Sequence, residues 1–160
     1  MRGSITVRRP SHLSHRSAPD ERAARASFLC GLSLPGGARL DDEQVAAALA
    51  WAETRLLLIQ GPPGTGKTVT AAAAVVGEAL TLPAGSLVLV SAPTHSVVDR
   101  VMKHCGWLLP QRYRADRTAR IVARPHPITL LRLHGEVELA TDGPIEHIPV
   151  SRYVSTLRAA

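Results

Sequence analysis

Residues 61–68, Gly-Pro-Pro-Gly-Thr-Gly-Lys-Thr, constrain the fold of this chain more than any other stretch of its sequence. They fit the P-loop pattern of a glycine, four residues of any type, and then Gly-Lys-Thr. The apolar run 56–59 precedes them, and the helix-like segment 69–80 follows. A strand, a glycine-rich loop and a helix in this order are typical of a phosphate-binding loop. A glycine-rich turn that happens to contain a lysine is the alternative.

The chemistry of a polyphosphate explains why such a loop needs these residue types. Its negative charges require a sharply turning backbone that aims N–H groups inward, which glycine permits. The two prolines have no N–H, so the donors must come from residues 64–68, with the positive end of the following helix behind them. We predict that Lys67, the candidate catalytic residue, contacts the β- and γ-phosphates of ATP and that the Thr68 hydroxyl binds Mg²⁺. The predicted cofactor-binding residues of the loop are Gly61, Pro62, Pro63, Gly64, Thr65, Gly66, Lys67 and Thr68.

Composition sets outer bounds on the chain. Its 160 residues are enough for one domain of ordinary size. Hydrophobic residues make up 45% and aromatic residues only 3%, so the core must consist of alanine, valine and leucine. Cys30 and Cys105 have no metal-ligand spacing and indicate reduced thiols in a cytoplasmic protein. No apolar run is long enough to span a bilayer, so we expect no membrane partner.

The net charge of +6 is a weak guide to partners because it is unevenly distributed. Arginines are concentrated in residues 1–40 and 110–160, whereas the segment between them is slightly acidic. If residues 111–123 are helical, their arginines form a rough basic stripe. This stripe either attracts nucleic acid or is simply a solvated helix face. Its members are Arg112, Arg114, Arg117, Arg120 and Arg124.

The pattern along the chain predicts three regions. Residues 1–38 are predicted to be a basic, mostly disordered tail with at most a short helix at 20–28. An organelle transit peptide is the alternative for the first 19 residues, which are rich in Arg and Ser. Residues 39–134 are predicted to form a partial ATP-binding domain. Residues 135–160 are predicted to be an irregular tail or the start of an inserted subdomain.

Within the middle region, strands and helices are predicted to alternate. Asp41 and Gln44 have the spacing of a capping box at the start of a helix of about 12 residues. Residues 55–60 form the predicted strand before the P-loop, and the unbroken apolar run in 86–91 predicts a second strand that is buried on both faces. This order indicates a right-handed parallel α/β arrangement.

The remaining elements are less sharply marked. Thr94 is a plausible N-cap of the next helix, and Gly106 is predicted to lie just beyond its end. The apolar stripe of that helix is Val97, Val98, Val101, Met102 and Cys105. A third strand is predicted at 128–133.

Three segments in this order resemble the opening of superfamily 1 helicases. They are residues 40–44, the run 57–68 that ends in the P-loop, and residues 88–99. The branch that they resemble contains the nonsense-mediated-decay and senataxin-like enzymes. The resemblance implies an α/β P-loop NTPase fold of the RecA-like type, a parallel sheet with flanking helices, which would be incomplete in a chain of this length. It also implies ATP and Mg²⁺ as cofactors.

The resemblance assigns roles to further residues. The family's glutamine that matches Gln44 reads the adenine edge, whereas the capping box is the alternative role of this residue. The segment that matches Pro93, Thr94 and His95 contacts single-stranded DNA or RNA in the family, and we expect only weak binding here. An ordinary helix cap is the alternative for Thr94.

The departures from the family pattern limit the expected activity. After Thr68 no apolar run ends in Asp-Glu, so the Walker B acids have no counterpart, and neither do the motifs of the second motor domain. We therefore expect this chain to be the ATP-binding part of an ATP-dependent nucleic-acid helicase. The missing motifs are expected on a downstream chain or domain. Whether this chain is itself an enzyme stays open. The alternatives are an AAA+ type ATPase and a non-catalytic, truncated ATP-binding module; a nucleotide kinase is disfavoured because no glycine-rich lid is evident.

Overall fold

The computed structural model describes residues 5–8, 19–79, 81–83, 86–111, 128–134 and 145–149, which belong to two compact units, 1–125 and 126–160. The elements of the first unit are β1 (Thr6–Arg8), α1 (Pro19–Gly31), α2 (Asp42–Trp51), β2 (Leu58–Gln60), α3 (Lys67–Ala79) and α4 (His95–Leu108). Those of the second unit are β3 (Leu130–His134) and β4 (Ile145–Pro149).

Helix α3 lies at the centre of the first unit, where it contacts α1, α2 and α4. Its alanine run is what allows neighbouring helices to approach closely, and Ala72 and Ala73 are completely buried. Around it, the predicted core of small aliphatic residues is joined by one large aromatic side chain, Phe28, which is 1% exposed. The largest fully buried side chains are Phe28, Leu29, Leu32, Leu108, Val76, Thr70 and Cys105.

Residues 19–38 contain a helix that is longer than the short one predicted at 20–28. Helix α1 spans Pro19–Gly31 and buries Phe28 and Leu29 against the rest of the unit, with Leu29 beside Gly77 of α3. A short 3-10 turn at Pro35–Gly37 follows. The helix predicted at 20–28 is therefore present and longer, but its packing on the core was not predicted, because its few apolar residues were not recognised as one buried face. Contacts with α2 and α3 join α1 to the core of the first unit.

Strand β2, which leads into the P-loop, pairs with the N-terminal strand β1. The pair is antiparallel, with Val7 opposite Ile59. The backbone N–H of Ile5 also donates to Glu43 Oε2 of α2 at 2.9 Å, which ties the start of β1 to a second element. One edge of the strand before the P-loop is therefore occupied by an N-terminal segment that was predicted to be disordered.

The predicted strand at 86–91 is not formed. Residues 86–90 have no regular secondary structure, and Leu87 and Leu89 are 70% and 77% exposed. A strand needs a neighbour to which its backbone can donate and from which it can accept, and in the described part of this unit β2 pairs only with β1. The first unit is accordingly a group of helices with a small two-stranded sheet.

Helix α4 is longer than predicted. Thr94 occupies the N-cap position as expected, although its side chain makes no capping hydrogen bond. The helix continues through Gly106 to Leu108, so Gly106 does not mark its end. In the last turn of α4, the indole Nε1 of Trp107 donates to the Ser33 carbonyl at 3.1 Å, which joins this end of α4 to the segment after α1.

The second unit contains two parallel strands, with Leu130 opposite Ile145 and His134 opposite Pro149. Strand β3 confirms the strand predicted at 128–133, displaced by one or two residues. Strand β4 lies in the segment that was predicted to be irregular. The predicted arginine stripe at 112–124 lies outside the described residues. Among the helices that the structure describes, none has the length and apolarity needed to cross a membrane.

Candidate functional site

The P-loop, residues 61–68, connects the end of β2 to the start of α3. Its turn depends on two glycines in the left-handed region, Gly64 with φ of 83° and Gly66 with φ of 79°. Other residues rarely adopt these angles without strain, so the pattern of glycines serves the backbone geometry that the sequence predicted. The loop thereby brings its last residues to the amino end of α3.

Lys67 folds back over the loop that contains it. Its Nζ atom donates to the carbonyl oxygens of Gly61 at 2.6 Å and Pro62 at 2.7 Å. The hydroxyl of Thr65, a buried residue, donates to the same Pro62 carbonyl at 2.9 Å. The ammonium group is thus held against the first turn of the loop by neutral acceptors.

Gln44 joins α2 to the P-loop. The capping box predicted for it is present: its N–H donates to Asp41 Oδ1 at 2.8 Å, and its Oε1 accepts from the Asp41 N–H at 3.1 Å. Its Nε2 also donates to the Thr65 carbonyl at 3.1 Å, in a buried hydrogen bond. Gly66 lies directly against this amide. A Cβ atom on residue 66 would be only 2.3 Å from Gln44 Nε2, so the position has no room for a side chain.

The amino end of α3 is anchored to the loop by Thr70. Its N–H and its hydroxyl both donate to the Gly66 carbonyl, at 2.9 Å and 3.0 Å. The first N–H groups of a helix have no carbonyl of the preceding turn to bind, and the helix dipole makes this end positive. Lys67 and Thr68 are the first residues of α3, so their amides belong to this positive end.

These features fit a polyphosphate with a bound divalent cation. The backbone is held open by glycines, the helix end supplies partial positive charge, and the Lys67 ammonium lies within the same loop. Thr68 lies one residue after Lys67 and is partly exposed, and a hydroxyl is the type of oxygen ligand that Mg²⁺ accepts.

The residues predicted to touch nucleic acid belong to a different element. Pro93 and Thr94 are exposed just before α4, and His95 is the first residue of that helix and also exposed. The Thr94 hydroxyl lies 3.2 Å from that of Ser96. Gln44, in contrast, is brought into direct contact with the P-loop.

The bond from Gln44 to Thr65 is a feature that the sequence did not predict. The capping box is local, and its spacing is visible in the sequence. A hydrogen bond between residues 21 positions apart is not, because it depends on how α2 packs against α3. The one signal in its favour is the position of Gln44 in a segment that resembles a nucleotide-contacting motif.

Comparison with known proteins identifies relatives of this region. A family described as AAA domain matches residues 39–132. A regulator of nonsense transcripts 1 homolog from Neurospora crassa is 36% identical over 110 residues, which cover 68% of this chain and 10% of that protein. The homolog from Arabidopsis thaliana is 44% identical over 104 residues, covering 65% of this chain and 8% of its own length.

A protein named ATP-dependent helicase upf1 from Schizosaccharomyces pombe is 42% identical over 74 residues, or 44% of this chain and 8% of that protein. The chain therefore spans about a tenth of the length of these relatives. The matches confirm the resemblance to the nonsense-decay branch that the motifs predicted. No solved structure matches the chain significantly.

Proposed function

Because this chain belongs to the AAA domain family, which it matches over residues 39–132, we propose that it binds Mg-ATP through the P-loop. Its similarity to the nonsense-decay branch extends the proposal: the chain is the ATP-binding part of an ATP-dependent nucleic-acid helicase. The activity, substrate and partners of that enzyme belong to the proposal, since the chain corresponds to a small part of each relative.

The observation that carries the proposal is the position of the Lys67 ammonium. It lies on the carbonyls of Gly61 and Pro62, inside the loop whose glycines turn the backbone toward α3. The bonds from the ammonium to these carbonyls are already charge-assisted, but a phosphate oxygen adds the attraction between two opposite charges. Phosphate oxygens would therefore compete well with these carbonyls for the ammonium group.

In the proposed complex, the amides of residues 64–68 hold the phosphates at the positive end of α3. The Thr68 hydroxyl binds Mg²⁺, and the metal ion, when bound, would neutralise charge on the phosphate oxygens. The loop's own residues bind and orient the nucleotide, and Gln44 is a candidate for contact with the adenine.

We also propose that the complete domain has the RecA-like parallel sheet. The segment 86–90 supports this proposal, because it is strongly apolar and its Leu87 and Leu89 are exposed. Leu58 of β2 is also 52% exposed. Apolar side chains in this position are what a strand buried on both faces needs once its neighbours are present.

Contact with nucleic acid is assigned to the amino end of α4. Pro93, Thr94 and His95 are exposed there, and the N–H groups of a helix start are suited to a phosphate of a single strand. With aromatic residues at 3% of the chain, stacking on bases adds little, so binding should be weak and salt-dependent.

Hydrolysis by this chain alone is expected to be slow. The sequence after Thr68 lacks the Walker B acids, and it has no counterpart of the second motor domain. Binding the ground state and the transition state equally well does not accelerate the chemical step. The same absence favours, as a second candidate, a non-catalytic ATP-binding module.

Titration with a fluorescent ATP analogue tests the proposal. We expect Lys67→Ala to weaken binding of the Mg²⁺ complex by roughly tenfold or more, since it removes a charge-assisted contact worth about 1.5–3 kcal/mol. Lys103→Ala is the matched control, because it removes an exposed lysine of α4 and should leave the affinity unchanged. Equal affinities for the wild type and Lys67→Ala would refute the assignment of the site.

A further inference from the structure

We propose that Gln44 is a positioning residue that holds the P-loop in its phosphate-binding shape. The inference rests on the proposed function, since it concerns the same loop. It differs from the expected contact with adenine, because it acts on the phosphates through the backbone of the loop and is independent of the base.

The argument begins with the planarity of the peptide bond. The carbonyl of Thr65 and the N–H of Gly66 belong to one trans peptide, so they point in opposite directions. Gln44 Nε2 donates to that carbonyl at 3.1 Å, in a buried hydrogen bond. By fixing the carbonyl on the α2 side, Gln44 turns the Gly66 N–H away from α2.

This peptide needs an external contact more than most. Gly66 has φ of 79° and no side chain, so rotation of the peptide meets little steric resistance. Gln44 restricts that rotation from two directions, by the hydrogen bond to Thr65 and by its close contact above Gly66, where a Cβ would be 2.3 Å from Nε2. A loop that is held in shape before the ligand arrives loses less conformational entropy on binding.

Gln44 is itself held by the capping box of α2. Its Oε1 accepts from the Asp41 N–H at 3.1 Å, which leaves the amide nitrogen directed at the loop. The two bonds use one amide hydrogen and one lone pair of the oxygen, so an added contact with adenine is compatible with this arrangement. The positioning role and the adenine role therefore need separate tests.

Two variants at this position isolate the proposed bond. Glutamate retains the capping box but cannot donate to Thr65 when ionised, whereas methionine is neutral and loses both contacts. The only loss common to Gln44→Glu and Gln44→Met is the donor to Thr65. The probes are inorganic tripolyphosphate, ATP and GTP, each with Mg²⁺ and measured by calorimetric titration.

We expect both variants to bind all three probes about tenfold more weakly than the wild type, by the same factor for each probe. For Gln44→Glu, the ratio to the wild type should be the same at low and high salt, which separates a lost hydrogen bond from charge repulsion. Asp41→Ala is the matched control. It removes the side-chain acceptor of the Gln44 N–H but keeps the backbone N–H that holds Gln44 Oε1, so it should lower the melting temperature and leave tripolyphosphate affinity unchanged.

Wild-type affinity for tripolyphosphate in Gln44→Glu would overturn the inference, and so would a ratio that returns to one at high salt. A loss confined to ATP would assign Gln44 to adenine instead. Failure of the wild type to bind ATP and tripolyphosphate would refute the proposed function itself. The wild-type titration is therefore done first. If Gln44→Met does not fold, Gln44→Glu and its salt series are sufficient.

Discussion

The ammonium group of Lys67 donates to two carbonyls of its own loop, so in the proposed complex a phosphate would replace acceptors that are already in place. The hydrogen bonds of Thr65 and Gln44 would hold the remainder of the loop during this exchange. At the scale of single residues, affinity is therefore set by how much better a charged phosphate oxygen accepts than a neutral carbonyl.

A second polar contact, between Arg25 and Glu78, stabilises the helices around the P-loop. The Arg25 side chain is 7% exposed, and its Nη1 lies 2.6 Å from Glu78 Oε2 of α3. Arg25 also donates to the Thr81 hydroxyl. The pair joins α1 to the helix that begins at the P-loop. The sequence predicted no such contact, because the short helix expected at 20–28 was placed in a mostly disordered tail.

Breaking this pair should destabilise the fold. We expect Glu78→Leu to lower the free energy of unfolding by roughly 3 kcal/mol, because it leaves the buried guanidinium without its charge partner. The double variant Arg25→Met with Glu78→Leu should recover a large part of that loss. Urea denaturation of the two variants measures both effects.

The pair between Arg22 and Glu53 provides a comparison, since the Arg22 side chain is 62% exposed and that of Glu53 is 17% exposed. Arg22→Met should cost less than Glu78→Leu, because the charge that it removes is largely in water. Equal losses for Glu78→Leu and Arg22→Met would show that burial of the Arg25 pair has no energetic consequence.

At the scale of elements, Cys105 lies in the contact between α4 and α3. This residue is fully buried, and its Sγ lies 3.9 Å from the Ala72 carbonyl. Burial raises the pKa of the thiol from its ordinary value of 9.0 to about 11. Cys30 of α1, in contrast, is exposed.

A thiol reagent at mildly alkaline pH should therefore modify one cysteine rapidly and the other only when the protein unfolds. Cys30→Ser should remove the rapid phase, and Cys105→Ser should remove the slow phase. Two rapid phases in the native protein would contradict the packing of α4 on α3.

The raised pKa also predicts a dependence of stability on pH. The folded protein binds the Cys105 proton more tightly than the unfolded chain does, so this contribution is complete below pH 9 and is lost as the pH rises toward about 11. The decline in the free energy of unfolding over this window should be smaller for Cys105→Ala than for the wild type.

The elements differ in how well the sequence predicted them. Helices α2 and α3 were predicted because their signals are local: a capping box for α2, and an alanine-rich run after a glycine loop for α3. The strand at 86–91 was predicted from apolarity alone, but strand formation requires a paired neighbour. The antiparallel pairing of β1 with β2 joins residues far apart in sequence, which no local pattern encodes.

At the scale of the whole molecule, the sequence predicted those features of the site that are local patterns and missed those that depend on packing. The P-loop and the capping box of Gln44 were visible, since each is a short pattern with a physical requirement. The bond from Gln44 to Thr65 and the two-stranded sheet were not, since both depend on packing. The parallel sheet of the RecA-like fold stays a prediction for the complete domain.

The most direct test of the account is to map the backbone amides that respond to Mg-ATP across the entire chain by ¹⁵N nuclear magnetic resonance. The account predicts that the largest shifts fall on the amides of residues 64–68, at the positive end of α3, and that Lys67→Ala greatly reduces them. Shifts concentrated elsewhere while residues 64–68 are unaffected, or unchanged shifts in Lys67→Ala, would contradict it.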